Sequence, residues 1–265
     1  IIKTRPHFGS AMAVRRDAWE ALAARFPTPD DVEITPAQFN AVRALWVTPP
    51  GVSDERVIVF FHGGGFVLGS PESHQEVLSR LARSAGARGL AIDNRLAPEH
   101  PFPSGIHDCV EAYEWLLKAG YRSEQICFAG DSSGGNFVIS AMLLARERGL
   151  PLPACAVCWS AWFDLTNASP SIITNAGKDV FVPVLCHHAA FRAAASVPFS
   201  VTEGARVPIS PRGRQIIMTT MATPNTSMRY SAKLRNSSKP PIITTAAMAI
   251  PSCEPMPPST TMAST

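Results

Sequence analysis

The chain has 265 residues and 46% hydrophobic content, enough for one large α/β domain with a sizeable core. Its formal charge of +3 is unevenly placed: seven Lys/Arg against two Glu from Ser196 onward make +5 there and leave −2 for the first 195 residues. The basic excess therefore belongs to the tail, which argues against a nucleic-acid surface. No apolar run reaches the length of a membrane span, and the start, Ile1-Ile2-Lys3-Thr4-Arg5-Pro6, has neither a signal-peptide h-region nor a Met, so it reads as a fragment of a cytoplasmic protein. The cysteines at 109, 127, 155, 158, 186 and 253 are scattered, and several fall in apolar segments. They read as reduced core thiols. Cys155-Ala156-Val157-Cys158 has no second pair to make a zinc site, and positions three apart on a strand face opposite sides.

In chain order, residues 10–26 carry Val14, Ala18, Leu22 and Phe26 at helical spacing, and Pro27-Thr28-Pro29 ends that helix. Residues 27–56 are Pro-rich, with one short strand candidate at Val42–Val47. Val57-Ile58-Val59-Phe60-Phe61 is the continuous apolar run of a strand buried on both faces. It stops at His62-Gly63-Gly64-Gly65-Phe66. The spacing predicts a helix at about 73–85 with Val77, Leu78, Leu81, Ala82 and Ala85 on one face, then a strand at Gly89–Asp93. After the Pro-rich connection Asn94–Pro103 comes a helix at about 106–119, with Ile106, Val110, Tyr113 and Leu117 in register. A strand at 126–130, a helix at 134–148 and a strand at 155–160 follow. Strands bridged by helices form βαβ units, hence a mainly parallel sheet. Ligands of such sheets lie beyond the carboxyl ends of the strands, so 62–65 and 130–134 should meet on one rim.

Gly130-Asp131-Ser132-Ser133-Gly134 is a G-x-S-x-G turn between a strand and a helix. Such a turn holds the serine in a strained conformation with its hydroxyl outward, and side chains at 130 and 134 would collide with the neighbouring strand and helix. The helix starting there aims free N–H groups and its positive dipole end at the serine. Ser132 is thus the nucleophile candidate. The N–H groups of Gly64, Gly65 and Ser133 are the candidate oxyanion donors, because glycines let bare backbone approach a substrate carbonyl.

With these stretches, Asp93–Pro103, Ser160-Ala161-Trp162-Phe163-Asp164-Leu165 and Asn175–Asp179, the sequence resembles the hormone-sensitive-lipase family of α/β-hydrolases over about residues 40–195. Asn94 stands where that family usually has Tyr, Ser133 where it has Ala, and Ala161 where it has Pro. The resemblance implies an α/β-hydrolase fold, an N-terminal cap helix and linker within 1–50, a core over 51–195 with a cap insert at about 165–195, and hydrolysis of carboxylic esters. It implies small-molecule substrates of short acyl chain, with no cofactor and no metal.

The family's Asp and His should follow the serine, and neither is identifiable here. The chain has no aspartate after Asp179 and no histidine after His188; Glu203 and Glu254 are the only later carboxylates. His62 is expected to order its loop, Asp131 to point away from the base position, and Asp164 to be structural, while His100, His107, His187 and His188 sit outside the expected position. Residues 196–265 form a low-complexity tail rich in Pro, Ser, Thr and Met, expected to be disordered and to stand in place of the family's last strands. Only Ile216-Ile217-Met218 and Pro241-Ile242-Ile243 resemble strands. A shifted reading frame in the gene would produce so abrupt a change. The alternative reading is a catalytically inactive binding protein, as the plant gibberellin receptors are to this same family.

Overall fold

The run 57–61 forms the second half of β3 (Ser53–Phe61), the middle strand of a seven-stranded sheet. The computed structural model describes residues 12–165, positions 170, 174, 175 and 178, and the backbone of 215–219. The sheet runs β1 (Glu33–Phe39), β2 (Val42–Thr48), β4 (Ala87–Asp93), β3, β5 (Ile126–Asp131), β6 (Cys155–Trp159), β7 (Gln215–Thr219). From β4 to β7 every neighbouring pair is parallel; β2 is antiparallel to both β1 and β4. The architecture is therefore the mainly parallel α/β sheet expected.

β3 alternates between two cores, because successive side chains point to opposite faces. Val57, Val59 and Phe61 pack with Phe128, Leu90 and Ile92 against α3 (Ser104–Lys118) and α4 (Ser133–Glu147). Ile58 and Phe60 pack with Leu45, Val47 and Ala129 against Leu78 of α2 (Pro71–Ala85). Each such side chain contributes about 2–3 kcal/mol by leaving water. The buried face of α2 is Pro71, His74, Leu78, Ser79 and Ala82. Val77, expected on that face, is 40% exposed. Ser70 and Ser73 cap α2 reciprocally, Pro71 occupies its first turn, and Gly86 ends it at φ 59.

β1 was not legible in the Pro-rich stretch. It is an edge strand, where Pro36 forfeits no ladder hydrogen bond that the sheet needs, and Asn40 at φ 51 closes the two-residue turn into β2. The amphipathic helix is α1 (Met12–Ala23), with no buried residue; Val14 and Phe26 are 52% and 66% exposed. Polar contacts and the stacking of Trp19 on His74, ring centroids 6.4 Å apart, hold it instead. Arg16 donates to the carbonyl oxygens of Val67 (2.9 Å) and Ala97 (3.0 Å) and pairs with Glu99 at 2.7 Å, and Ser70 Oγ donates to Glu20 at 3.0 Å.

The chain divides into two units, 1–221 and 222–265. The described residues all belong to the first. The strand-like segment 216–218 lies in β7, paired parallel to β6. The cap insert expected at about 165–195, the other strand-like segment Pro241–Ile243 and the remainder of the tail lie outside the described residues. No helix among the described residues is long and apolar enough to cross a membrane.

The connection after β4 is fastened to α3 by one ion pair. Asp108, fully buried, accepts from the Arg95 backbone N–H at 2.7 Å and from its guanidinium at 2.7 and 3.0 Å. The Arg95 side chain is 46% exposed, so solvent weakens the charge interaction, but loss of the carboxylate would also strand a backbone N–H. Asp108→Ala is expected to lower stability by about 2–3 kcal/mol, read as a shift of the urea midpoint at constant m-value.

Candidate active site

β3 and β5 are neighbours in parallel register, with Phe61 opposite Gly130. The segments that follow, 62–66 and 131–134, therefore leave the same edge of the sheet side by side. Two hydrogen bonds join them: Gly63 N–H donates to Asp131 Oδ1 at 2.9 Å, and Phe66 N–H donates to Ser133 Oγ at 3.3 Å. Gly64 and Gly65 lie in the loop between those two ties.

Ser132 has φ 52 and ψ −119, a backbone conformation rarely occupied by a residue with a side chain. The turn is pinned on both sides. Ser132 N–H donates to the Trp159 carbonyl oxygen at 2.8 Å, and its own carbonyl oxygen accepts from Trp162 N–H at 3.0 Å. The close approach is possible only because residues 130 and 134 lack a Cβ. One added at Gly130 would fall 2.6 Å from Gly134 backbone atoms, and one at Gly134 would overlap the Phe61 carbonyl oxygen. Ser132 is half-buried, and α4 begins at Ser133, so the positive end of the helix dipole lies beside it.

Gly64 sits at φ 122, and its carbonyl oxygen is taken by Val67 N–H and Leu68 N–H at 3.2 and 3.0 Å. Among the described residues, none accepts a hydrogen bond from the amides of Gly64, Gly65 or Ser133.

Beneath this loop lies a cluster the sequence reading did not assemble. His62 is buried; its Nδ1 donates to the Gly63 carbonyl oxygen at 2.8 Å, which leaves Nε2 an acceptor without a partner. His62 thus orders the loop as expected. Its ring lies 5.5 Å from that of His74, and burial together with that second imidazole pushes its pKa down to about 4. His74 Nε2 lies 3.5 Å from Asp131 Oδ1, while its Nδ1 meets Ser73 Oγ at 2.9 Å. Burial alone would raise the Asp131 carboxyl, but His74, the Gly63 N–H and His62 outweigh it and hold the group below its ordinary value. Asp131 thus lies beside α2 and ties it to the glycine loop. His74 was legible in principle, one helical turn before Leu78 on the buried face of α2.

Asn136, in the first turn of α4, donates to the Trp162 carbonyl oxygen at 3.0 Å and accepts from Ser140 Oγ. The Asp164 carbonyl oxygen accepts from Trp162 Nε1 at 3.0 Å. Among the described residues no three His, Cys, Asp or Glu side chains gather to hold a metal ion.

A profile of the alpha/beta hydrolase fold family matches residues 58–248, beyond the stretch whose motifs carry the resemblance. An acetyl-hydrolase of Streptomyces hygroscopicus is 40% identical over 139 residues, covering 52% of this chain and 46% of that protein. The human hormone-sensitive lipase is 42% identical over 114 residues, 41% of this chain and 11% of its own length. An esterase of Acinetobacter venetianus is 29% identical over 183 residues, 69% and 60% of the two chains. The chain thus spans about half the length of the two bacterial relatives. Among solved structures, an esterase from the bacterial hormone-sensitive lipase family shares 38% identity at a TM-score of 0.70, covering 73% of this chain and 64% of that one.

The depressed His62 pKa has a pH consequence. A folded value near 4 against about 6.5 when unfolded means the unfolded chain binds more protons between those limits. Stability is full above about pH 6.5 and falls by up to about 3 kcal/mol as pH drops toward 4. The groups facing His62 are His74, Asp131 and Glu72, and the lowered Asp131 is lost only below its own ordinary range. Urea midpoints at pH 7 and pH 5 should therefore differ more for the wild type than for His62→Gln.

Proposed function

The chain belongs to the alpha/beta hydrolase fold family, and from that membership we propose that it is a carboxylic ester hydrolase with Ser132 as nucleophile. The observation that carries this reading is Ser132 itself: a non-glycine residue at φ 52 between β5 and α4, facing a loop with unengaged amides. A strained serine at such a turn presents its hydroxyl above the sheet edge.

In the proposed reaction Ser132 Oγ adds to the ester carbonyl carbon. Negative charge gathers on the carbonyl oxygen, where the amides of Gly64, Gly65 and Ser133 and the α4 dipole stabilise it. Collapse expels the alcohol and leaves an acyl-serine, and water then releases the acid. No cofactor or metal enters these steps. Small esters of short acyl chain suit the reading, since the similar proteins are named acetyl-hydrolase and esterase. Reduced thiols suit a cytoplasmic setting.

The proton acceptor is not assigned. The chain carries no histidine after His188 and no aspartate after Asp179. That observation favours a second reading, a binding protein that keeps the serine turn and the glycine loop without turnover. In a serine triad, losing the histidine costs about 10⁶ in kcat, the remaining acceleration coming from the oxyanion hole and binding.

A fluorophosphonate probe and p-nitrophenyl acetate separate the readings. The hydrolase reading expects labelling at Ser132, abolished in Ser132→Ala, with Gly64→Ala, whose Cβ would overlap the Leu68 carbonyl oxygen and so displace the Gly64 amide, lowering ester turnover by about 10²–10³. Saturable binding of p-nitrophenyl acetate without labelling or turnover would favour the binding protein. Labelling at a residue other than Ser132 would overturn the assignment of the nucleophile.

A further inference from the structure

The cysteines do not behave as one class. Cys109, on α3, and Cys158, on β6, are 0% and 3% exposed, and burial pushes both thiols up, Cys158 to about 12. Cys158 lies in the core beneath α3 and α4, its Sγ donating to the Gly135 carbonyl oxygen at 3.6 Å. Such thiols are inert. Cys127 and Cys155 are half-buried, free, and on the opposite face of the sheet from Cys158.

These two are direct partners in the parallel ladder of β5 and β6, Cys127 opposite Cys155. Neighbouring strands lie about 4.8 Å apart, and a disulfide spans a Cα separation of roughly 4.4–6.8 Å. The backbone spacing therefore already admits a bond. Residues in register across parallel strands also point to the same face, so the two sulfurs approach each other. The Cys127 Sγ donates to the Phe128 carbonyl oxygen at 3.4 Å. The neighbouring Cys155 sulfur and burial hold the Cys127 thiol protonated. Cys155, beside Cys127, is drawn below the usual thiol value. The sequence pair Cys155/Cys158 cannot join in this way, because its members face opposite sides of the sheet.

We propose that Cys127 and Cys155 form a reversible dithiol–disulfide site closed by peroxides. The Cys155 thiolate attacks the peroxide oxygen; the O–O bond breaks, Cys155 becomes a sulfenic acid, and the leaving hydroxide takes up the thiol proton as water. Cys127 then loses its proton and attacks the Cys155 sulfur. The S–S bond forms, and the sulfenic oxygen leaves as a second water. Two thiols are oxidised and one peroxide is reduced to two waters. The bond closes the loop that carries Ser132 and α4, joining the start of β5 to the start of β6. Both cysteines are half-buried, so a reductant can reach the bond.

The test uses the full chain, reduced, desalted and exposed to hydrogen peroxide, then alkylated and mapped by mass spectrometry. The expected product is a single cross-link between the peptides of Cys127 and Cys155, 2 Da lighter than the dithiol and reopened by dithiothreitol. In Cys127→Ala, dimedone should label Cys155 about tenfold faster than Cys109 or Cys158. Cys127→Ser gives the same readout if the alanine variant loses its far-UV spectrum. Alkylation of both thiols after peroxide treatment, or a cross-link from either to Cys158, Cys186 or Cys253, would overturn the proposal.

Discussion

The parallel pairing of β3 with β5 is the constraint on which the candidate site depends. With Phe61 opposite Gly130, both strands reach the sheet edge together. The Phe61 carbonyl oxygen occupies the space a side chain at 134 would need. Two segments far apart in the chain are thereby packed backbone against backbone, which only glycine permits at the contact. Pairing in any other register would separate the serine turn from the glycine loop.

Packing alone does not orient a loop of three glycines, since glycine loses more freedom on ordering than any other residue. The orientation comes from polar groups beneath it. Asp131 takes the Gly63 N–H, His62 takes the Gly63 carbonyl oxygen, and His74 joins Asp131 to α2. The loop is thus tied at one residue, Gly63, through both its N–H and its carbonyl oxygen. The same cluster makes the loop acid-sensitive, because His62 is kept neutral where water cannot reach it. At the outer side, α1 lies against the continuation of this loop through Arg16 and the Val67 carbonyl oxygen rather than through buried apolar area. Polar attachments of that kind contribute little stability and can release without unfolding the core.

Elements with strong periodicity were legible in the sequence to within a few residues: β3 in its continuous apolar run, α3 in the spacing of Ile106, Val110 and Tyr113, and the turn at Ser132 in its glycines. What was missed has particular causes. β1 was hidden by Pro36, which reads as a strand breaker unless the strand is known to lie at an edge. Val77 was placed inside by spacing but is exposed, since α2 turns its narrower stripe of His74, Leu78 and Ala82 to the sheet. His74 was overlooked because its spacing on the apolar face signals burial but not the partner it meets there.

Local patterns in the chain therefore determined the helices, the strands other than β1, and the residue types that can carry acyl-transfer chemistry. Side-chain alternation and the steric limits of glycine act between near neighbours, so they can be read in order along the sequence. Tertiary structure alone decided that Asp131 and His74 brace the glycine loop, that α1 is held by hydrogen bonds, an ion pair and a ring stack with no fully buried residue, and that Cys127 faces Cys155 instead of Cys158 pairing with it. Those contacts join residues distant in sequence, and they arise from strand order and register, which no local pattern encodes.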